Sequence, residues 1–172
     1  MARRPCRAPA TRVRICLSGG FLLTPAIRFL EKHGIPFEVA EYEHQEKGAV
    51  FAARALGLPV DRTIKTLVVE VVPRGYYLVL MPGSKTISFR QLAKALGAKR
   101  AAMVDTDTAE RLTGYLVGGI SPFGVRKRMP VLIEKDLLAF DAVAINGGRR
   151  GLMLVMNPSD IVRTMQAETV AL

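Results

Sequence analysis

Thr113-Gly114-Tyr115-Leu116-Val117-Gly118-Gly119-Ile120-Ser121-Pro122-Phe123-Gly124 is the stretch on which the reading of the chain turns. Four glycines and a proline in twelve residues suit neither a helix nor a strand. They make a long loop between a short helix ending at Leu112 and a strand opening at Val131. Arg126, Lys127 and Arg128 follow at once. Asn146-Gly147-Gly148-Arg149-Arg150-Gly151 repeats the combination further on. Taken singly, each block reads first as a tight turn with solvated arginines, and neither has the G-x-x-x-x-G-K-[ST] spacing of a phosphate loop. Together they point to a site. Glycine turns can aim several N–H groups at one point, and flanking cations pair with phosphates. The ligand is anionic, or becomes so during a reaction.

Around these loops the chain reads as alternating short elements. Thr24-Pro25 opens a helix whose apolar face is Ala26, Ile27 and Leu30, closed by Gly34. Ile35 to Tyr42 reads as a strand, and Gly48 to Leu56 as a small-residue helix closed by Gly57. Thr63 to Val72 and Tyr76 to Met81 form a hairpin across Pro73-Arg74-Gly75. Ser88 caps a helix from Phe89 to Leu96. Asp107 and Glu110 resemble a capping box for the helix ending at Leu112. Val131 to Glu134, Ala142 to Ile145 and Leu152 to Met156 are strands, and Asn157-Pro158-Ser159-Asp160 starts a final helix. Hairpins mixed with single helices predict one α+β domain over residues 23–172, with a mixed, largely antiparallel, partly barrel-like sheet flanked by helices.

Composition sets the outer limits. A chain of 172 residues, 49% of them hydrophobic, can bury a substantial core. The net charge is +10, and Arg3, Arg4, Arg7, Arg12 and Arg14 supply half of it before any acid appears. Residues 1–22 therefore read as a basic disordered tail or an upstream start. Ser18, Gly19 and Gly20 interrupt the apolar run that a signal peptide needs. The remaining excess of positive charge favours an acidic partner, of which nucleic acid is the commonest. Cys6 and Cys16 both lie in the tail, so the folded part has no disulfide, cysteine nucleophile or cysteine metal site. His33 and His44 are too few for a histidine metal cluster. A cytoplasmic protein with neither metal nor cofactor, and no membrane segment, is the expectation.

Lys65 stands out within Ile64-Lys65-Thr66-Leu67-Val68-Val69. A lysine on a buried strand either snorkels to solvent or serves as the cation at the mouth of a pocket. Leu67 and Val69 share its face by alternation. Tyr42 could bring an aromatic wall and a hydroxyl to the same mouth, although half-buried core is the commoner role. His44 reads as a surface histidine. Ser121 has no evident base partner and sits in no G-x-S-x-G elbow, which argues against a serine triad.

The succession Thr24-Pro25-Ala26, Tyr42-Glu43-His44, Ile64-Lys65-Thr66-Leu67, Thr113 to Pro122 and Gly147 to Gly151 resembles the YbaK/ProX-type aminoacyl-tRNA deacylases, freestanding relatives of the editing domain of bacterial prolyl-tRNA synthetase. The resemblance runs from about Leu23 to the C-terminus. It implies trans-editing: hydrolysis of the ester that joins a wrong amino acid to a tRNA 3′ end. By position it makes Lys65 the essential lysine, with Gly118 and Gly119 at the ester. Tyr42, Ile120, Ser121, Asn146, Gly147, Gly148 and Met153 would bind substrate. Arg126, Lys127, Arg128, Arg149 and Arg150 would bind the tRNA backbone. Main-chain N–H groups of a glycine turn suit the oxyanion of ester hydrolysis, and a polyanionic substrate suits the basic balance.

The same resemblance implies Cys-tRNA(Pro), or Cys-tRNA(Cys), as substrate, with the cysteine thiol attacking its own ester. Two positions depart from the family pattern: Asn146 stands where Ser is common, and Met153 where an acid is frequent. Ala- or Ser-charged tRNA, and a non-catalytic tRNA-binding module attached to a synthetase, are the alternatives. A monomer or homodimer with prolyl-tRNA synthetase as a candidate associate completes the expectation.

Overall fold

The computed structural model describes residues 23–43 and 48–172. The predicted tail with Cys6 and Cys16, and the surface assignment of His44, lie outside the described residues.

Helix α1 (Pro25–Lys32) begins where the sequence placed it, because the Thr24 hydroxyl accepts from the Ile27 N–H at 3.2 Å. The same hydroxyl donates to the Gly147 carbonyl at 2.5 Å, tying the helix start to the second glycine block. Strand β1 (Glu38–Glu41) is shorter than the predicted Ile35–Tyr42. The Ile35 N–H is already taken by the Leu30 carbonyl closing α1, and Pro36 has no N–H, so pairing starts later. Helix α2 (Ala49–Leu56) ends at Gly57 as expected.

Strands β2 (Ile64–Val72) and β3 (Gly75–Pro82) form the predicted antiparallel hairpin. Ser88 caps helix α3 (Phe89–Ala95). Strand β4 (Arg100–Met103) was not anticipated: Arg-Ala-Ala-Met has no alternation, and it is a strand because it pairs along the free edge of β2. Helix α4 (Thr106–Thr113) is capped by Asp105, not by the expected Asp107. Asp105 lies just outside the first turn, so its carboxylate accepts from the Thr108 N–H at 2.8 Å and the Thr108 hydroxyl at 2.9 Å. Those bonds hold its carboxyl below the usual carboxylate range. Glu110, the expected partner in a capping box, reaches forward instead to the Val117 N–H at 2.9 Å.

The remaining elements are β5 (Val131–Glu134), β6 (Val143–Asn146), β7 (Leu152–Met156), α5 (Pro158–Met165) and β8 (Glu168–Val170). They build two sheets, ordered β1-β7-β6 and β4-β2-β3-β5-β8. Pairing is antiparallel except between β3 and β5 and between β5 and β8, which makes the larger sheet mixed, as predicted. The partly barrel-like closure does not form. The sheets remain separate ladders joined by one bridge, Thr63 to Ala144, because the β6–β7 hairpin pairs outward with β1.

The main core lies between the sheets. Ile64 and Val68 of β2, Leu78 and Leu80 of β3, and Ile145, Leu152 and Leu154 of the smaller sheet meet there with Ala26, Ile27 and Leu30 of α1. Phe123, from the glycine-rich stretch, is fully buried in the same core and stacks on Phe29 at 6.0 Å between ring centroids. The opposite face of the larger sheet packs Val69, Val71, Val79 and Met81 under Leu92 and Leu96. The opposite face of the smaller sheet packs Ala144 and Met153 under Ala52 and Leu56 of α2. No described helix is long and apolar enough to cross a membrane.

Since Thr24 is a buried cap that also holds the second glycine block, Thr24→Val should lower the unfolding free energy by about 1–2 kcal/mol. Thr24→Ser should recover most of that loss. Urea midpoints of the three proteins measure both values.

Candidate active site

A cleft of about 330 Å³ opens where the two sheets approach. Ile64 to Val68 of β2 make one wall, and Met103 to Thr106 with Ala109 a second. Gly48, with Ala49 and Ala52 of α2, joins Tyr42 on the third side, and Val117, Gly118 and Ile120 form a rim opposite. Asn146 and Met153, neighbours in the β6–β7 register, complete the lining.

Six of the residues singled out in the sequence thus meet here: Tyr42, Lys65, Gly118, Ile120, Asn146 and Met153. Gly119, Ser121, Gly147 and Gly148 do not line the cleft. Ser121 is fully buried and its hydroxyl accepts from the Phe123 N–H at 3.5 Å, a local turn contact. Gly148 lies against the Tyr115 ring, where a Cβ would come within 2.7 Å of it. The Tyr115 hydroxyl donates to the Phe123 carbonyl at 2.6 Å, and burial pushes its pKa upward.

Lys65 is half-buried, opposite Met81 in the hairpin. Burial holds its ammonium below the ordinary 10.5, since a low-dielectric setting disfavours the charged form. Its Nζ donates to the Lys85 carbonyl. Lys85 is itself anchored, with its ammonium 2.9 Å from Glu134, a carboxylate 1% exposed, and 2.6 Å from Asp136. Hydrogen bonds to Asp136 and Glu134 raise the Lys85 pKa, and the bond from Lys85 lowers that of Asp136. Leu67 and Val69 pack on the α3 side of the sheet, as alternation required. Next to Lys65, the Thr66 hydroxyl is buried and has no hydrogen-bond partner among the described residues. The sequence reading missed Thr66, although its place beside Lys65 was a usable signal. It also missed Asp105 and the small face of α2.

The rim is built by contact between the two glycine blocks. Gly118 has φ +92°, a backbone region that residues with a Cβ rarely adopt. A Cβ on Gly119 would stand 3.1 Å from main-chain atoms of both Arg149 and Arg150, so glycine is what lets the blocks touch. The Asn146 amide spans them, donating to the Gly118 carbonyl at 3.0 Å and accepting from the Gly148 N–H at 3.0 Å. The Arg150 guanidinium donates twice to the Val117 carbonyl, at 2.9 and 2.7 Å. The Gly119 N–H closes a turn on the Leu116 carbonyl at 2.9 Å. The Gly118 N–H has no protein partner among the described residues.

Met153 is 2% exposed and gives the cleft an apolar floor between Ala40 and Ala52. Tyr42 tilts against Phe51 at 6.0 Å. Burial raises its pKa, and a main-chain bond with Gly151 partly offsets that. The other cations sit outside the cleft. Arg126 lies across Gly114, Lys127 is 5.3 Å above the Tyr76 ring, and Arg128 donates to Gln166 at 3.3 Å. Arg149 pairs with Glu41.

Residues 43–164 match the family model of the aminoacyl-tRNA editing domain. The chain is 31% identical to a protein of Enterococcus faecalis provisionally named Cys-tRNA(Pro)/Cys-tRNA(Cys) deacylase EbsC, over 81% of this chain and 86% of that one. It is 28% identical to the multifunctional Ser/Thr-tRNA deacylase ProXp-y of Escherichia coli K12, over 84% of this chain and 88% of the relative. A solved structure provisionally described as a trans-editing enzyme for prolyl-tRNA synthetase superposes with a TM-score of 0.77 at 25% identity. The match covers 86% of this chain and 95% of that one.

The Lys65 ammonium should titrate below 10.5 in lysine-selective NMR. Between its lowered pKa and 10.5 the native state binds fewer protons than the unfolded chain, so the Lys65 contribution to stability rises with pH there. A titration at 10.5 would place the ammonium in open solvent, and one above it would place an anion beside it.

Proposed function

The chain belongs to the aminoacyl-tRNA editing domain family, and on that premise we propose that it hydrolyses the ester joining a wrong amino acid to the 3′ end of a tRNA. The observation that carries the reading is the glycine rim. The Gly118 N–H, which has no protein partner among the described residues, borders a small cleft that Lys65 also lines. Attack on an ester puts negative charge on the carbonyl oxygen, and a pre-aimed N–H in a partly desolvated cleft stabilises it. The half-buried Lys65 ammonium would draw in the 3′-terminal phosphate or polarise the ester. Arg126, Lys127 and Arg128, outside the cleft, would meet the tRNA backbone, and a prolyl-tRNA synthetase would be the candidate associate.

Within that reading we favour cysteine as the amino acid removed, from tRNA(Pro) or tRNA(Cys). The floor at Met153 offers no charge or hydrogen bond, so it suits a side chain whose thiol needs no partner. Cysteine can then act as its own nucleophile. The thiol sulfur attacks the ester carbonyl, the ribose oxygen leaves with the thiol proton, and water opens the resulting cyclic thioester. The cleft needs only to hold the folded conformation, and effective molarity supplies much of the rate. One observation favours a second reading, removal of serine or threonine: the unpartnered Thr66 hydroxyl lining the cleft could bond a substrate hydroxyl.

A panel of Cys-, Ser-, Thr- and Ala-charged tRNAs separates these readings. Cleavage of Cys-tRNA with little loss of Ser-tRNA, and a cyclic thioester appearing before free cysteine, is the expected result. Equal rates on Cys- and Ser-tRNA would replace thiol attack with an activated water. No release from any of the four would end the enzyme reading. Lys65→Ala should lower the rate at least about tenfold, the worth of one charge-assisted hydrogen bond, while the circular dichroism spectrum stays that of the parent. Wild-type turnover in that variant would reduce Lys65 to a snorkelling strand residue.

A further inference from the structure

Arg150 is an arginine of the kind expected to reach for phosphate, yet its guanidinium is turned inward. Both Nε and Nη2 are committed to one main-chain oxygen, that of Val117, 33 residues away. That oxygen belongs to the same rigid peptide unit as the Gly118 N–H. In a trans peptide the C=O and N–H point in opposite directions, and rotation about the bond between them is prohibitively costly. A group that fixes the Val117 carbonyl on one side of the rim therefore fixes the Gly118 N–H on the other.

We infer that Arg150 is a positioning residue for ester hydrolysis: by holding the Val117 carbonyl in a two-pronged grip, it aims the Gly118 N–H at the substrate carbonyl oxygen. The inference rests on the deacylase reading and adds to it the part that sets the donor. The neighbouring contacts make Arg150 the decisive one. Glu110 holds the Val117 N–H, and Asn146 holds the Gly118 carbonyl, so the peptides on either side are pinned by other groups. Gly118, at φ +92°, has little torsional resistance of its own, and a free glycine peptide would rotate. The grip also polarises the peptide it holds. A cation donating to the C=O draws electron density from the amide nitrogen, which makes its N–H a stronger donor.

Lysine cannot replace this grip. Its ammonium is a point charge on a flexible stem and cannot donate two parallel bonds in a fixed plane. Arg150→Lys keeps the charge and Arg150→Met removes it while keeping an unbranched stem, so the pair separates geometry from electrostatics. Each variant and the parent should be assayed on Cys-tRNA and on the 3′-cysteinyl ester of adenosine, which carries no phosphate. The turnover number should fall about tenfold for Arg150→Lys and about a hundredfold for Arg150→Met on both substrates, within the loss seen when an oxyanion donor is removed. KM and the salt dependence on Cys-tRNA should stay as in the parent.

The Gly118 amide resonance of the free protein should shift in both variants, while the dispersion of the remaining spectrum persists. Should Arg150→Met fail to fold, Arg150→Lys carries the test. Parent-like turnover in both variants overturns the inference. So does a loss confined to Cys-tRNA with raised KM and a shallower salt slope, which would make Arg150 a phosphate ligand. If the parent itself cleaves neither substrate, the deacylase reading fails instead, and an unmoved Gly118 amide would separately overturn the grip.

Discussion

The contact between the two glycine blocks is the constraint on which the rest of the site depends. Arg150 and Asn146 reach across from the β6–β7 connection to the carbonyls of Val117 and Gly118. Gly119 gives the other chain room to approach. Thr24 adds the start of α1 to the same junction through the Gly147 carbonyl. Three segments remote in sequence therefore meet at one junction: the start of α1, the β6–β7 connection and residues 116–119. Without that convergence, residues 116–119 would be a solvated turn. With it, they become a rim whose Leu116, Val117 and Gly118 carbonyls are bonded within the protein, and whose Gly118 N–H has no protein partner among the described residues.

Burial does comparable work on the other wall. Lys65 lies on a strand whose neighbours enter two apolar cores, and its ammonium is half-buried and pairs with no acid among the described residues. The Lys85 carbonyl meets it, and Lys85 is held in turn by the buried Glu134. Among the described residues the cation beside the cleft has no neutralising carboxylate, so its field is available to an incoming anion. Glu134 is satisfied on its other oxygen by the Asp136 N–H at 2.8 Å, which fits a carboxylate buried to that depth.

Much of this was legible along the chain because the signals are short-ranged. Thr24, Ser88 and Asn157 announce helix starts by bonding N–H groups two or three residues on. The hairpin from Ile64 to Pro82 announces itself by β-branched and apolar runs about a Pro-Arg-Gly turn. Lys65 is conspicuous because a charge interrupts an apolar run. The failures are equally physical. Arg100 to Met103 has no strand pattern and gains its conformation from the edge of β2. Asp107 and Asp105 are both plausible caps by spacing, and the chain geometry at the helix entrance chooses Asp105.

What the sequence by itself determined is therefore the menu of elements, the two glycine blocks with their cations, and the oddity of Lys65, since each depends on residues within a few positions of one another. Tertiary structure alone decided which of those residues share a cleft. It buried Ser121, set Gly148 against the Tyr115 ring, made Met153 a floor and committed Arg150 to the Val117 carbonyl. Those outcomes rest on pairings that span 33 residues from Arg150 to Val117 and 123 from Thr24 to Gly147. No local propensity encodes such distances. They exist only once two sheets have packed and the loops between them have been brought within hydrogen-bonding reach.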